Sequence, residues 1–102
     1  MTDPQPVLAA LADPTRRAVF ERLNNEGPAT ASQLASELPV SRQAISKHLG
    51  QLDAAGLVDR VSSGREVLYS AQVGPLGDIA GWMEQVGSDW DDRLQRLKES
   101  FD

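Results

Sequence analysis

The sequence predicts a mainly α-helical fold of five to six helices with one small β-hairpin. Three observations predict it. Two short amphipathic segments, Thr30 to Leu38 and Ser41 to Val58, stand only a few residues apart; a run of period-two residues is broken by Ser-Ser-Gly-Arg; and the last quarter carries a long apolar stripe at helical spacing. The length of 102 residues and 40% apolar content suit one small domain, 1–102, with a modest core.

The first element group covers residues 6–25. Asp13-Pro14-Thr15 is a helix start, with Asp13 as N-cap and Pro14 at the first helical position, where its missing N–H removes nothing. Val19, Phe20 and Leu23 follow on one face and point inward. Val7, Leu8 and Leu11 mark a short helix before it. Arg16 and Arg17 lie at the helix start, either as solvated side chains or as secondary contacts to an anionic backbone.

Residues 30–55 hold the two amphipathic helices. Thr30 and Gln33 form a capping-box pair, and Leu34, Ala35 and Leu38 make the inward stripe of the first helix. After Pro39 and Val40, Ser41 caps the second helix and Gly56 can end it. At about 100° per residue Ile45, Leu49 and Leu52 fall on one side. Gln43, Lys47, Gly50 and Gln51 fall opposite, with Ser46 and His48 on the shoulders. An ordinary helical hairpin in a small core would look the same. So would a helix-turn-helix, whose second helix enters the DNA major groove with its N-terminal residues leading. On that reading Ser41 and Arg42 stand where free backbone N–H groups favour a phosphate. Gln43, Ser46 and Lys47 reach furthest, Gln suiting adenine and Lys suiting guanine or phosphate. His48, the only histidine, is either a half-buried imidazole bonded to a neighbour or a phosphate contact. Gly50 costs a helix about 1 kcal/mol relative to Ala; it is a neutral surface position or lets the helix backbone lie close to DNA.

Residues 57–71 change period. LVDRV and EVLYSA flank SSGR, which reads as a two-stranded hairpin. A hairpin directly behind such a helix is a wing, and it decides between the readings in favour of a winged helix-turn-helix. Arg65 at its tip is placed for a minor groove or a phosphate.

The final element, 75–101, places Ile79, Met83, Val86, Trp90, Leu94, Leu97 and Phe101 at spacings of 4, 3, 4, 4, 3 and 4 residues. That is a nearly unbroken heptad seam, with Trp82 beside it. A helix of this length spans roughly 35 to 40 Å, more than one small core needs, so the stripe is expected to meet a second copy. Gly87 and Ser88 mark a place for a bend.

From Leu8 to Phe101 the chain resembles the ArsR/SmtB family of bacterial winged-helix transcription regulators. The segments LADPTRRAVFERL, ATASQLASELPVSRQAISKHLGQLDAAGLV and GREVLY carry the likeness, together with the terminal helix. The resemblance implies a homodimer on a partly palindromic operator, usually a repressor released by an inducer. It also implies that the first helix, with Leu8 and Leu11, joins the dimer contact of Ile79, Trp82, Met83, Val86, Trp90, Leu94 and Leu97. The family's paired thiolates fall here on Thr30 and Ser32, and the terminal helix lacks the histidine of the family's second metal site.

The net charge of −5 is unusual for a DNA binder, which is expected to be basic. The acidity sits in the tail: residues 71–102 hold three basic and seven acidic groups, against four and four in 28–70. A local positive face built on Arg42, Lys47 and Arg65 is compatible with this, and the salt dependence of binding is expected to be shallow. With no cysteine, thiolate metal sensing and thiol redox switching are excluded within the chain. No cofactor is expected, and Glu84, Asp89, Asp91 and Asp92 read as a solvated carboxylate face rather than a metal site. With one histidine and no Gly-rich phosphate loop, no nucleophile and base pair up, so an enzyme is not expected. No signal peptide or membrane span is apparent, so the expected compartment is the bacterial cytoplasm. The expected partner is operator DNA read by a homodimer. An inducer would be a small molecule near Trp82 and Trp90, a separate protein, or absent. The alternatives are a transcriptional activator, a regulator responding to metal through oxygen and nitrogen ligands or a partner chain, and a winged helix that contacts protein.

Overall fold

The computed structural model describes residues 3–100. Phe101, the last position of the predicted seam, lies outside them. The elements follow in the order α1 (Gln5–Ala12), α2 (Pro14–Glu26), β1 (Ala29–Thr30), α3 (Ala31–Glu37), α4 (Arg42–Ala54), β2 (Val58–Ser63), β3 (Glu66–Ala71) and α5 (Gly74–Ser100).

Local chemistry accounts for the boundaries. The Asp13 carboxylate accepts the Arg16 N–H at 2.9 Å, so α2 starts with Pro14 where the N-cap pattern predicts. Thr30 and Gln33 form the reciprocal capping box: Thr30 Oγ1 accepts from Gln33 N–H at 3.1 Å and Gln33 Oε1 accepts from Thr30 N–H at 2.8 Å. Two donors that the α3 start would leave open are thereby satisfied. Ser41 caps α4 by accepting the Ala44 N–H at 3.1 Å.

Helices α2, α3 and α4 pack together, each through the face the periodicity assigns. Val19, Leu34, Ile45, Leu49, Leu52 and Leu57 are completely buried, joined by Phe20 and Leu23 from α2 and by Val7 and Ala10 from α1. Leu38, Tyr69, Ala71 and Leu76 close the margins of this core.

The sheet differs from a bare two-stranded wing. The hairpin β2–β3 is antiparallel from Val58↔Ala71 to Ser63↔Glu66, and β1 adds a third strand on its other side through Ala29↔Tyr69 and Thr30↔Leu68. Two residues are too few for any period to be read, so only the tertiary pairing reveals β1. The connecting turn is also tighter than SSGR suggests, since Ser62 and Ser63 belong to β2 and only Gly64 and Arg65 turn. Gly64 has φ of 64°, whereas no non-glycine residue among those described has positive φ, so Arg65 keeps negative φ. This is the pattern of a type II′ hairpin turn, whose first central position calls for glycine.

α5 is one 27-residue helix, unbroken through Gly87 and Ser88. Its first turns sit on α1, and the remainder runs free of the domain. Accordingly the radius of gyration is 18.3 Å, against about 13 Å for a compact chain of 100 residues. The seam therefore splits. Ile79, assigned by the heptad to a dimer contact, is only 6% exposed and belongs to the domain's own core, because the start of α5 must bury something to be held against α1. Trp82, Met83, Val86, Trp90, Leu94 and Leu97 are all exposed, Trp90 to 56%. Leu8 and Leu11 are half-buried against the same core.

Candidate nucleic-acid interface

The site is built on α4. Burying Ile45, Leu49 and Leu52 against α2 and α3 fixes the rotation of this helix about its axis, and that rotation turns Arg42, Gln43, Ser46, Lys47 and Gly50 outward into solvent. The polar face is thus a consequence of the apolar one. Ser41 is exposed at the helix start, its hydroxyl already engaged by the Ala44 N–H. His48 is half-buried, and its Nδ1 has no hydrogen-bond partner among the described residues, so no neighbour bonds it there.

The wing brings Arg65 back toward the start of α4. An open cleft of about 170 Å³ lies between them, lined by Thr30, Ser32, Arg42, Ser46, Arg65 and Glu66, with Tyr69 and Val67 on the strand side. Arg42, Ser46 and Arg65, predicted separately from helix and hairpin, meet here. Gln43 and Lys47 are exposed on the same helix but do not line the cleft. Ser32 and Tyr69 were not legible as members of this face. No spacing in the sequence relates them to α4, and only the β1–β3 register and the wing fold place them beside it.

Three cations, Arg42, Lys47 and Arg65, stand exposed on this side of the molecule, and Glu66 stands beside Arg65 as an opposing charge. Among the described residues, ion pairs engage Arg22 and Arg60, and none engages Arg42, Lys47 or Arg65. Glu37, the acid closest to the turn in sequence, is held by Arg22, whose hydrogen bond keeps its carboxyl below the usual range. Asp53 lies 3.7 Å from Arg60 at the far end of α4. Two of the carboxylates of the central segment are therefore turned toward cations of their own.

Arg16 and Arg17 have another occupation. Arg16 Nη1 donates to the carbonyls of Ala10 at 3.3 Å and Ala9 at 3.5 Å, and Arg17 Nη1 to that of Leu11 at 3.3 Å. These are orphan carbonyls at the end of α1. Both guanidinium groups are thus turned onto the end of α1. Among the described residues no group of three His, Asp or Glu stands together as metal ligands, and no helix is long and apolar enough to cross a membrane.

Two helices joined by a tight turn, a wing behind the second, and an exposed face of short donors and cations define a winged helix-turn-helix protein of the DNA-binding class. Comparison with known proteins makes this specific. The profile of the helix-turn-helix domain family matches residues 11–61. The chain is 48% identical over 68 residues to the HTH-type transcriptional regulator Rv2034 of Mycobacterium tuberculosis, covering 67% of this chain and 61% of that one, so the match spans less than two thirds of the relative. It is 34% identical over 77 residues to the transcriptional repressor SdpR of Bacillus subtilis, covering 76% and 84%. The solved structure of an ArsR-like transcriptional regulator from Rhodococcus sp. RHA1 superposes with a TM-score of 0.86 at 45% identity, over 94% of this chain and 90% of that one. The chain belongs to the ArsR/SmtB family of winged-helix transcriptional regulators, whose members are regulators and not enzymes.

Proposed function

We propose that the chain is a homodimeric repressor that binds a palindromic operator, reading bases with Gln43, Ser46 and Lys47 and holding the duplex backbone with Ser41, Arg42 and Arg65. The observation that carries this reading is the division of α4 into a fully buried inner face and an exposed outer face of donors and cations. The repressor sense rests on similarity to a relative that bears that name.

Dimerisation rests on the free part of α5. Six large apolar side chains exposed along one helix exceed what a monomer ordinarily leaves uncovered, and a second copy supplies the same stripe in return. A two-fold pair presents two α4 helices to half-sites about 10 base pairs apart, or a multiple of that. An inducer acting near Trp82 and Trp90 would sit in this contact and alter the spacing of the two α4 helices.

A mobility-shift titration with the DNA upstream of the chain's own gene, at two salt concentrations, tests the reading. Specific binding by the wild type, lost in Lys47→Ala and in Arg65→Ala, supports it. Absence of binding to any upstream fragment favours a winged helix that contacts protein. Repeating the titration with divalent metals present separates an effector-free repressor from a metal-responsive one.

A further inference from the structure

We infer that the cleft between α4 and the wing takes one backbone phosphodiester of duplex DNA, gripped from opposite sides by Arg42 and Arg65. Ser32 and Ser46 supply hydroxyl donors, and Glu66 is an opposing charge that limits the grip. The inference rests on the DNA-binding reading above and deepens it, joining the backbone contacts of Arg42 and Arg65 in one shared phosphate.

The argument starts from the fold. Arg42 leaves the first turn of α4 and Arg65 leaves the hairpin tip, so nothing local in the chain couples them. Yet both line the same cleft of about 170 Å³, and neither has an ion-pair partner among the described residues. Two arginines lining one cleft bring like charges to the same space, which an anion between them offsets, and phosphate oxygens suit the planar donor fork. Among the hydroxyls at the rim, that of Thr30 already accepts from Gln33 N–H within the capping box. Ser32 and Ser46 are exposed, with no hydrogen bond engaging their hydroxyls among the described residues. Glu66 lines the same cleft and repels the proposed occupant. With a carboxylate present, the clamp is weak toward any lone phosphate and holds one only when the rest of the duplex is docked. A chain with few phosphate contacts would then derive its register on DNA from this one, because the wing and the reading helix can share a phosphate in only one relative position.

Fluorescence anisotropy of the full chain with a 30-base-pair labelled duplex, across a salt series, tests the clamp through the slope of log affinity against log salt. Each phosphate neutralised contributes about 0.9 to that slope. If the two arginines share one phosphate, Arg42→Gln and Arg65→Gln each weaken binding but leave most of the slope, and the double variant loses about 0.9 per bound subunit. A loss of about 1.8 means separate phosphates and overturns the clamp; an unchanged slope means no phosphate contact and overturns it too. Glu66→Gln is expected to bind more tightly at every salt concentration, and Ser32→Ala more weakly with unchanged slope; the opposite result for Glu66→Gln removes the anion from the cleft. Replacing chloride by inorganic phosphate at constant ionic strength is expected to change nothing. Selective displacement of the wild type but not of the double variant would make the cleft a free-phosphate site instead. Circular dichroism confirms that each variant is folded. A wild type that binds no duplex at all overturns the DNA-binding reading and the clamp with it, whereas wild-type binding with the wrong slope pattern overturns the clamp alone.

Discussion

Arg22 in α2 grips Glu37 at the end of α3 along one edge of its guanidinium, Nη2 donating to Oε1 at 3.2 Å, while its Nη1 donates to the Gly27 carbonyl at 2.9 Å. One side chain thus joins the helix before the sheet, the loop and the first helix of the helix-turn-helix. The hydrogen bond from Arg22 lowers the pKa of Glu37, so the unfolded chain takes up that proton first on acidification. The contribution is complete above the unfolded value of 4.5 and is lost as pH falls through the lowered folded value. Asp13, lowered chiefly by the Arg16 N–H it accepts, adds to the same acid limb from 3.8 downward. Urea midpoints between pH 7 and pH 3 should therefore fall less steeply in Glu37→Gln than in the wild type. Equal slopes would mean that the pair carries no pH-dependent stability.

Trp90 and Ile79 share one heptad stripe but not one fate. Trp90→Asp should change monomer stability by less than about 0.5 kcal/mol, as expected for a surface position, while sedimentation shifts from dimer to monomer and operator binding is lost. Ile79→Ala should cost about 2–5 kcal/mol in the protomer itself. Unchanged sedimentation of the Trp90 variant would count against the α5 contact.

Gly50 has open space where a Cβ would stand. Gly50→Ala should raise stability by about 1 kcal/mol through helix propensity. Its duplex affinity should nonetheless fall, because the added methyl meets DNA where the α4 backbone approaches it. A variant both more stable and fully competent in anisotropy titrations would show that this part of α4 stands off the duplex.

Gly64 turns the wing with φ of 64°, and no atom crowds the position where its Cβ would be. The cost of Gly64→Ala is then purely one of backbone conformation, about 1–2 kcal/mol. Denaturation should show that loss with the α2–α4 core intact, and duplex binding should weaken further because Arg65 is displaced. Full binding by this variant would detach the wing from the interface.

Local rules make most of the frame legible in the sequence. The Asp13-Pro14 start, the Thr30 and Gln33 box, the Ser41 cap and the inward set of Ile45, Leu49 and Leu52 depend on spacings within a turn or two of helix, and each stands where the spacing puts it. The outer face of α4 is legible for the same reason, since burying one side of a rigid helix determines what the other side presents. The family likeness rests on these segments and on the wing, and the similarity to known regulators agrees with it.

What tertiary structure alone decided depends on contacts between residues far apart in the chain. β1 exists only because Ala29 and Thr30 find β3 beside them, and two residues carry no pattern of their own. The heptad stripe does not say where a helix leaves its own domain; packing on α1 assigns Ile79 to the interior and leaves Trp82 onward exposed. The acidic total likewise hides that Glu37 is held by Arg22 and that Arg42 and Arg65 face one cleft, because charge counts along a chain contain no distances. Periodicity determined which face each helix shows; the fold determined what that face meets.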